Sequence, residues 1–519
     1  MVISAHIVAF VSLAFFLILC LRYFMHMFQL NSYTAKVQFV WMGKNIFSLI
    51  PCLLSAVAAV CASFITKREF AFAYTLFAMA VLILALFYTP KKAKKPIAYT
   101  ARVKRMFATI SVLVVAICTV AVLVGGVAEF FILGALLLFA PILVIVANIL
   151  NAPIEKAVRN YYINDAKRML KEHSRLKIVG ITGSFGKTSV KYYLTTLLGA
   201  KYNVLMTPES YNTPMGVVIT VRGSLRATHD IFVCEMGAKY VGDIKELCDI
   251  VHPHNGMVTS IGEQHLESFG SVQNIINTKY EMADGISDSG KLFINISSDT
   301  IYKNRPSREA VTYGLIPEAD YYATDISVSG AGTEFTLCHG DERETYRTRL
   351  IGEANVTNIV GAIAVANGAY DISLHELKKA VASLKCVPHR MELLDRGGML
   401  IIDDAFNSNP AGAKAALRTV GLFDAVKIIV TPGMIELGDK EEELNRELGA
   451  NAAAVCDYIV AVGERQAKPI VAGAKDAGFD ESKIHVAKTF TAAMEFVNSI
   501  NSNGKKKVVL LENDLPDNF

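Results

Sequence analysis

The sequence predicts an α-helical transmembrane domain followed by two α/β domains. Three observations carry that reading. The chain has 519 residues, enough for roughly three domains at about 150 residues each. Its make-up is 52% hydrophobic and 19% charged, with a mean hydropathy of +0.35, which is too apolar for an ordinary soluble enzyme of this size. The apolar excess sits before residue 150, and the remainder reads as a globular chain.

Five apolar stretches, at 2–21, 46–66, 70–89, 107–125 and 127–150, each approach the ~20 residues that cross a bilayer as a helix. The first lacks a basic start and a small-residue cleavage site, so it reads as a retained span. Gly125 and Gly126 alone separate the last two, as in a tight hairpin or one long bent segment. The loop with Lys91, Lys92, Lys94, Lys95, Arg102, Lys104 and Arg105 contains no acid. The positive-inside rule makes it cytoplasmic, together with everything after Asn151. Lys67 and Arg68 conflict mildly with that topology. No Asp, Glu or Lys lies well inside a span, which argues against an ion pathway.

The net charge of +4 comes with no long basic patch interleaved with aromatics, so nothing points to nucleic acid. The nine cysteines include no Cys-x-x-Cys pair. They read as buried thiols rather than a zinc site or a disulfide framework.

Residues 154–174 have a helical period and connect to KIVGITGSFGKTSVKYYLTTLL. Lys177–Ile181 reads as a buried strand, Thr182–Thr188 as a glycine-rich turn, and Ser189 onward as a helix. Strand, glycine loop and helix are the setting of a phosphate-binding loop. Gly183 and Gly186 would let backbone N–H groups turn toward phosphate oxygens, and the helix start would face the same anion. Lys187 would bridge the outer phosphates, and the Thr188 hydroxyl would hold Mg²⁺. Ile181 stands where the strict pattern has its first glycine. Taken alone, a chance Lys-Thr pair after a glycine-rich turn gives the same pattern. Glu235 ends the apolar run DIFVCEM, at the carboxyl end of a predicted strand where ligands bind in parallel sheets. A carboxylate there can bind Mg²⁺ beside phosphates.

TGSFGKTSVK resembles the ATP loop of the Mur ligases, and further segments follow in the family's order. They are SYNTPMGV (210–217), EMGAKYVGDI (235–244), GEQHLESFG (262–270), TKYEM (278–282), PHRMEL (388–393), DDAFNSNP (403–410) and PGMIELG (432–438). The resemblance covers about residues 175–510 and is greatest to the branch that adds D-alanyl-D-alanine. It implies an ATP-dependent ligase with Mg²⁺, forming an amide bond through an acyl phosphate in cell-wall precursor synthesis. Thr182, Gly183, Ser184, Gly186, Lys187, Thr188 and Ser189 would cradle the nucleotide. Asn295 would contact adenine, Arg390 would reach ATP from the hinge, and Asp403 would take the ribose. Thr188, Glu235, His265 and Lys279 would hold the metal, with Lys187, Glu235, His265 and Lys279 as the catalytic set. Lys279 would carry CO₂ as a carbamate; the alternative is a surface lysine paired with Glu281. Asn212, Asn407 and Asn409 would face the substrate.

Membrane spans occupy the place of the family's usual UDP-holding domain. The expected acceptor is therefore a lipid-linked or membrane-proximal precursor, joined to an amino acid or dipeptide. Ser297, Ala354, Phe406, Asn445 and the ending LLENDLPDNF also depart from the family's usual residues. The expected division is a membrane domain at 1–152, a central P-loop-type ATPase domain at 153–387 and a Rossmann-like domain at 388–519. The central domain carries a β-rich insert near 320–350; the last domain has strands near 399–403, 427–431, 458–462 and 507–511. The expected location is the cell membrane, with the catalytic domains in the cytoplasm. The alternatives are a folylpolyglutamate-type ligase and an ATP-binding membrane scaffold without catalysis.

Overall fold

The computed structural model describes residues 2–66, 69–90, 96–329, 332–406, 408–464 and 467–514. Two compact units divide between Asn160 and Tyr161.

The first unit is helical. Its helices are Val2–Leu30, Ala35–Lys44, Ile50–Thr66, Phe70–Leu86, Ala101–Val124, Gly126–Leu138 and the first part of Ala140–Glu172. Four segments are long and apolar enough to cross a membrane: Ile3–Leu30, Ile46–Ile65, Ala101–Val124 and Ala140–Glu172. Phe70–Leu86 and Gly126–Leu138 are apolar but shorter. The stretch at 127–150 is thus two helices rather than one span. The break falls at Phe139, and Pro141 lies in the first turn of the next helix, where its missing N–H breaks no internal bond. That helix runs on through Pro153 and absorbs most of the connecting helix expected at 154–174. Gly125, at φ 65°, ends Ala101–Val124 and makes the turn between the two neighbouring helices. The core of the unit includes Phe16, Phe24, Phe77 and Phe130.

Lys67, Arg68, Lys91, Lys92, Lys94 and Lys95, on which much of the topology argument rests, lie outside the described residues. Arg102 donates to Asn148 Oδ1 at 2.8 Å, and Arg105 pairs with Glu155 at 2.8 Å. Glu129 lies in the first turn of Gly126–Leu138, at the edge of the apolar stretch 127–150 rather than well inside it. This residue is 1% exposed. Its two oxygens take a hydrogen bond from Tyr74 Oη at 2.5 Å and a contact with His6 Nε2 at 2.7 Å.

The second unit contains two sheets. The first is built from β1 (Lys177–Thr182), β2 (Val204–Met206), β3 (Ile231–Glu235), β4 (Asn255–Val258), β5 (Leu292–Asn295), β6 (Ala310–Gly314), β7 (Tyr321–Ser329), β8 (Gly332–His339) and β9 (Glu342–Thr348). Their order is β2-β3-β1-β4-β5-β6-β7-β8-β9. Pairing is parallel as far as β7, and β7–β9 form an antiparallel extension at the expected insert. β1 lies between β3 and β4, so the chain leaves its carboxyl end into the crevice where parallel sheets bind ligands. Helices Lys187–Leu198 and Glu353–Tyr370 close one face over a core that includes Val179, Ile181, Phe293 and Ile363.

The second sheet contains β10 (Glu392–Asp395), β11 (Met399–Asp404), β12 (Val426–Thr431), β13 (Tyr458–Val462), β14 (Ile484–Ala487) and β15 (Lys507–Glu512). Their order is β10-β11-β15-β12-β13-β14, parallel except for β10 against β11. Four of these strands, β11, β12, β13 and β15, fall within a residue of the expected positions. The architecture is a helical N-terminal region followed by two α/β sheets.

Candidate active site

The loop after β1 is tied down by hydrogen bonds to the segment after β4. Gly183 has φ 152°, and a Cβ there would lie 2.1 Å from Thr259 Oγ1 and 2.9 Å from Ser260 N. Only glycine fits that close approach. Phe185 N donates to Ser260 Oγ at 2.7 Å, Ser184 Oγ donates to Gly262 O at 3.1 Å, and Thr182 Oγ1 donates to Met236 O at 3.0 Å. Gly186, at φ 83°, caps the helix Lys187–Leu198, whose first turn holds Thr188 and Ser189, both buried. Its N–H groups face the loop, as anion binding requires. Lys187 folds back over the loop, with Nζ 2.6 Å from Gly183 O and 3.1 Å from Ser184 O. Burial pushes its ammonium down to about 8.

Glu235, at the carboxyl end of β3, is 1% exposed. Oε1 accepts from Thr188 Oγ1 at 3.1 Å and Asn212 Nδ2 at 3.0 Å. Oε2 forms an ion pair with Lys191 Nζ at 3.0 Å. Burial alone would raise the pKa of Glu235, but Lys191 and Lys187 outweigh it and hold the carboxyl below its usual range. Lys191 is 0% exposed and also donates to Glu209 O. It stands one helical turn after Lys187 in the same motif, and that spacing is the signal that sequence reasoning passed over.

Lys279 is 2% exposed, so it is not a surface lysine. Glu281, its expected surface partner, instead accepts from the backbone N–H groups of Gly242 and Lys245 at 2.8 Å each. Burial and the nearby Lys187 charge drive the Lys279 pKa well down. The neutral amine is the form that reacts with CO₂, so this environment fits a carbamate. His265, at φ 53°, precedes the short helix Leu266–Phe269. Its Nδ1 contacts Glu436 Oε2, which leaves Nε2 as the nitrogen for a ligand. Burial lowers its pKa against the pull of Glu436. The Lys187 charge bears on Glu235, His265 and Lys279 alike. The Glu235 carboxylate and the Thr188 hydroxyl that touches it are oxygen donors of the kind a hard divalent cation takes.

Other expected residues are held by local contacts. Asn295 ends β5 with its amide engaged by Thr259 O at 3.0 Å and Ser297 N at 3.0 Å. Arg390 lies over the Phe406 ring at 4.2 Å and feels the charges of both Glu235 and Asp404. Asp403 meets His389 Nδ1 at 2.7 Å. Asn212 is drawn to Glu235 rather than left open. Asn409 caps the helix Pro410–Gly421, accepting from Gly412 N at 2.9 Å. Asn407 lies outside the described residues. Asn445 is fully buried and braces the 432–438 loop through Met434 N at 2.8 Å and Met434 O at 2.9 Å. Ser297 Oγ accepts from Leu315 N at 2.6 Å.

Comparison with known proteins gives this geometry a family. Residues 181–366 match the Mur ligase middle domain, and residues 389–511 match the Mur ligase glutamate ligase domain. The UDP-N-acetylmuramoyl-tripeptide--D-alanyl-D-alanine ligase of Bacillus subtilis (strain 168) is 35% identical over 277 residues, 53% of this chain and 60% of that protein. The chain thus spans less than two thirds of that relative's length. MurF from Acinetobacter baumannii superposes with a TM-score of 0.62 at 26% identity, over 68% of this chain and 77% of that one. The MurF ligase of Thermotoga maritima in complex with ADP superposes with a TM-score of 0.61 at 25% identity, over 69% and 80%. The two domain matches together take in more than half of the 519 residues, and the chain belongs to the Mur ligase family.

Proposed function

We propose that this protein is a membrane-anchored, ATP-dependent ligase that forms an amide bond in peptidoglycan precursor synthesis, a reading supported by its likeness to relatives named UDP-N-acetylmuramoyl-tripeptide--D-alanyl-D-alanine ligase. The observation that carries the reading is the convergence of Lys187, Thr188 and the buried Glu235 at the carboxyl ends of β1 and β3. The central part (153–387) acts as a P-loop-type nucleotide domain, the last part (388–519) as a Rossmann-like domain, and 1–152 as the membrane part. The candidate spans support the cell membrane as its location, and the basic residues before Ala101–Val124 support a cytoplasmic ligase.

In this mechanism the acceptor carboxylate attacks the γ-phosphorus of ATP, giving an acyl phosphate and ADP. The amino group of the incoming D-alanyl-D-alanine then attacks the acyl carbon, loses a proton, and expels phosphate. Thr182, Gly183, Ser184, Gly186 and Ser189 shape the loop, and Lys187 leaves the carbonyls of Gly183 and Ser184 to meet the outer phosphates. Arg390 adds a second positive charge from the hinge side; Asn295 and Asp403 hold adenine and ribose. Asn212 and Asn409 would contribute on the substrate side. Mg²⁺ would be held by Thr188, Glu235, His265 and carbamylated Lys279, and would neutralise phosphate charge. These groups position reactants and stabilise charge rather than form covalent bonds.

The acceptor in this reading is a membrane-proximal, lipid-linked wall precursor. The support is the run of apolar helices preceding the matched domains. A tether raises the local concentration of a partner in the same membrane. The test is ADP release by the purified full chain. Release should need ATP, a muramoyl-tripeptide acceptor and D-alanyl-D-alanine together, with a product heavier by the dipeptide less water. ADP release indifferent to the dipeptide would refute the ligase reading.

A further inference from the structure

His265 and Glu436 lie 171 residues apart, in the two separately matched domains, yet their side chains meet. Glu436 is gripped three ways by the middle domain. Oε2 contacts His265 Nδ1, Oε1 pairs with Lys239 Nζ at 3.3 Å, and its backbone carbonyl accepts from Glu267 N at 3.4 Å. Lys440 and Glu263 add a second ion pair between the same segments at 2.6 Å. Both central partners are non-glycine residues with left-handed backbones, His265 at φ 53° and Glu436 at φ 61°. Such conformations cost free energy and persist where the surroundings require them. Here they turn two side chains toward each other across a domain boundary.

A carboxylate on one imidazole nitrogen fixes the tautomer, aims the other nitrogen and raises its basicity. With Nδ1–H donating to Glu436, Nε2 of His265 keeps its lone pair for a ligand. We propose that Glu436 is a positioning residue for His265, so that docking of the C-terminal domain completes the divalent-cation site of the middle domain. Domain closure and metal affinity are then one coupled event. The inference rests on the proposed role of His265 but not on turnover.

The test uses the full chain and Mn²⁺ with ADP, followed by electron paramagnetic resonance of free Mn²⁺. Glu436→Ala, at a position 31% exposed, should weaken Mn²⁺·ADP binding about tenfold or more. ADP binding without metal should change less than about twofold. Glu436→Gln, which keeps an oxygen acceptor, should recover part of the loss. His265→Ala should show the same loss, and the double variant should be no worse than either single one. Mn²⁺ binding as tight in Glu436→Ala as in the parent would overturn the proposal. So would strictly additive losses, which would mean that Glu436 acts apart from His265. A parent chain that binds Mn²⁺·ADP in this coupled way yet ligates nothing would count against the ligase reading alone.

Discussion

Lys191 Nζ lies 3.0 Å from Glu235 Oε2, with both side chains closed to solvent. The pair fixes one oxygen of the carboxylate and leaves Oε1, with Thr188 and Asn212, on the nucleotide side. Removing one member of a buried pair strands the other charge, at a cost of about 3–5 kcal/mol. Lys191→Met should therefore lower the unfolding free energy of the ligase domains by about that much, read by denaturant titration. Lys191→Met together with Glu235→Gln should recover much of the loss. A single variant as stable as the parent would show that the pair does not matter to the fold.

Lys187→Ala should abolish ligation, a loss of about 10²–10³ in rate, because the phosphate contact also stabilises transition-state charge. Circular dichroism should show the fold intact, since among the described residues the ammonium's hydrogen bonds go to carbonyls of its own loop. Near-normal ligation by the folded variant would remove Lys187 from the mechanism.

Nucleotide binding should take up a proton in alkaline solution. Without nucleotide the Lys187 ammonium is pushed down to about 8 by burial, from 10.5. Phosphate oxygens favour the charged form and raise that value again. Below pH 8 the group is charged in both states, and little proton moves. Between 8 and 10.5 the free protein holds the neutral amine, so binding draws in up to one proton. Titration calorimetry at pH 9, in buffers of differing ionisation enthalpy, should show this uptake, and Lys187→Arg should abolish it. Equal heats in all buffers would contradict the buried-lysine account.

Lys279→Ala should lose ligation while keeping nucleotide binding without metal. Short carboxylic acids should restore part of the activity by supplying the missing oxygen, and the parent should gain activity with added bicarbonate. A neutral-pH crystal structure with Lys279 unmodified and remote from any metal would rule the carbamate out.

Much of this site was legible in the sequence because its chemistry is local. Strand, glycine turn and helix follow one another from Lys177 through TGSFGKTS, so the loop's local structure could be read from the sequence, while the roles of Gly183, Lys187 and Thr188 rested also on the family resemblance. Glu235 was found because an acid ending an apolar run marks a strand's carboxyl end. Contacts between distant segments leave no such mark. Glu436 reads as a loop acid inside PGMIELG, and only the fold brings it to His265. Lys191 stands within TGSFGKTSVK without a role assigned from the sequence, and only the fold shows its side chain meeting Glu209 O and Glu235. Four strands of the second sheet stood out as short apolar runs and the 320–350 insert by alternation, whereas the split of 127–150 at Phe139 did not stand out. Composition there is uniformly apolar, and Pro141 was the sole cue.

The acceptor preference can be read by competition. The full chain should use a lipid-linked muropeptide in vesicles more efficiently than the UDP-linked form. A variant lacking residues 1–150 should lose that preference while keeping ADP binding. Equal use of the UDP-linked acceptor by the truncated and full chains would mean that the apolar helices only anchor the enzyme.

The most direct measurement follows the fate of the acceptor's oxygen. With ¹⁸O in the reacting carboxylate, attack on the γ-phosphorus places one labelled oxygen in the bridge of the acyl phosphate. Amine attack then leaves that oxygen on the departing phosphate. The account predicts one ¹⁸O in each inorganic phosphate released and one amide formed per ADP. Unlabelled phosphate, or ADP formed with no amide, would contradict it.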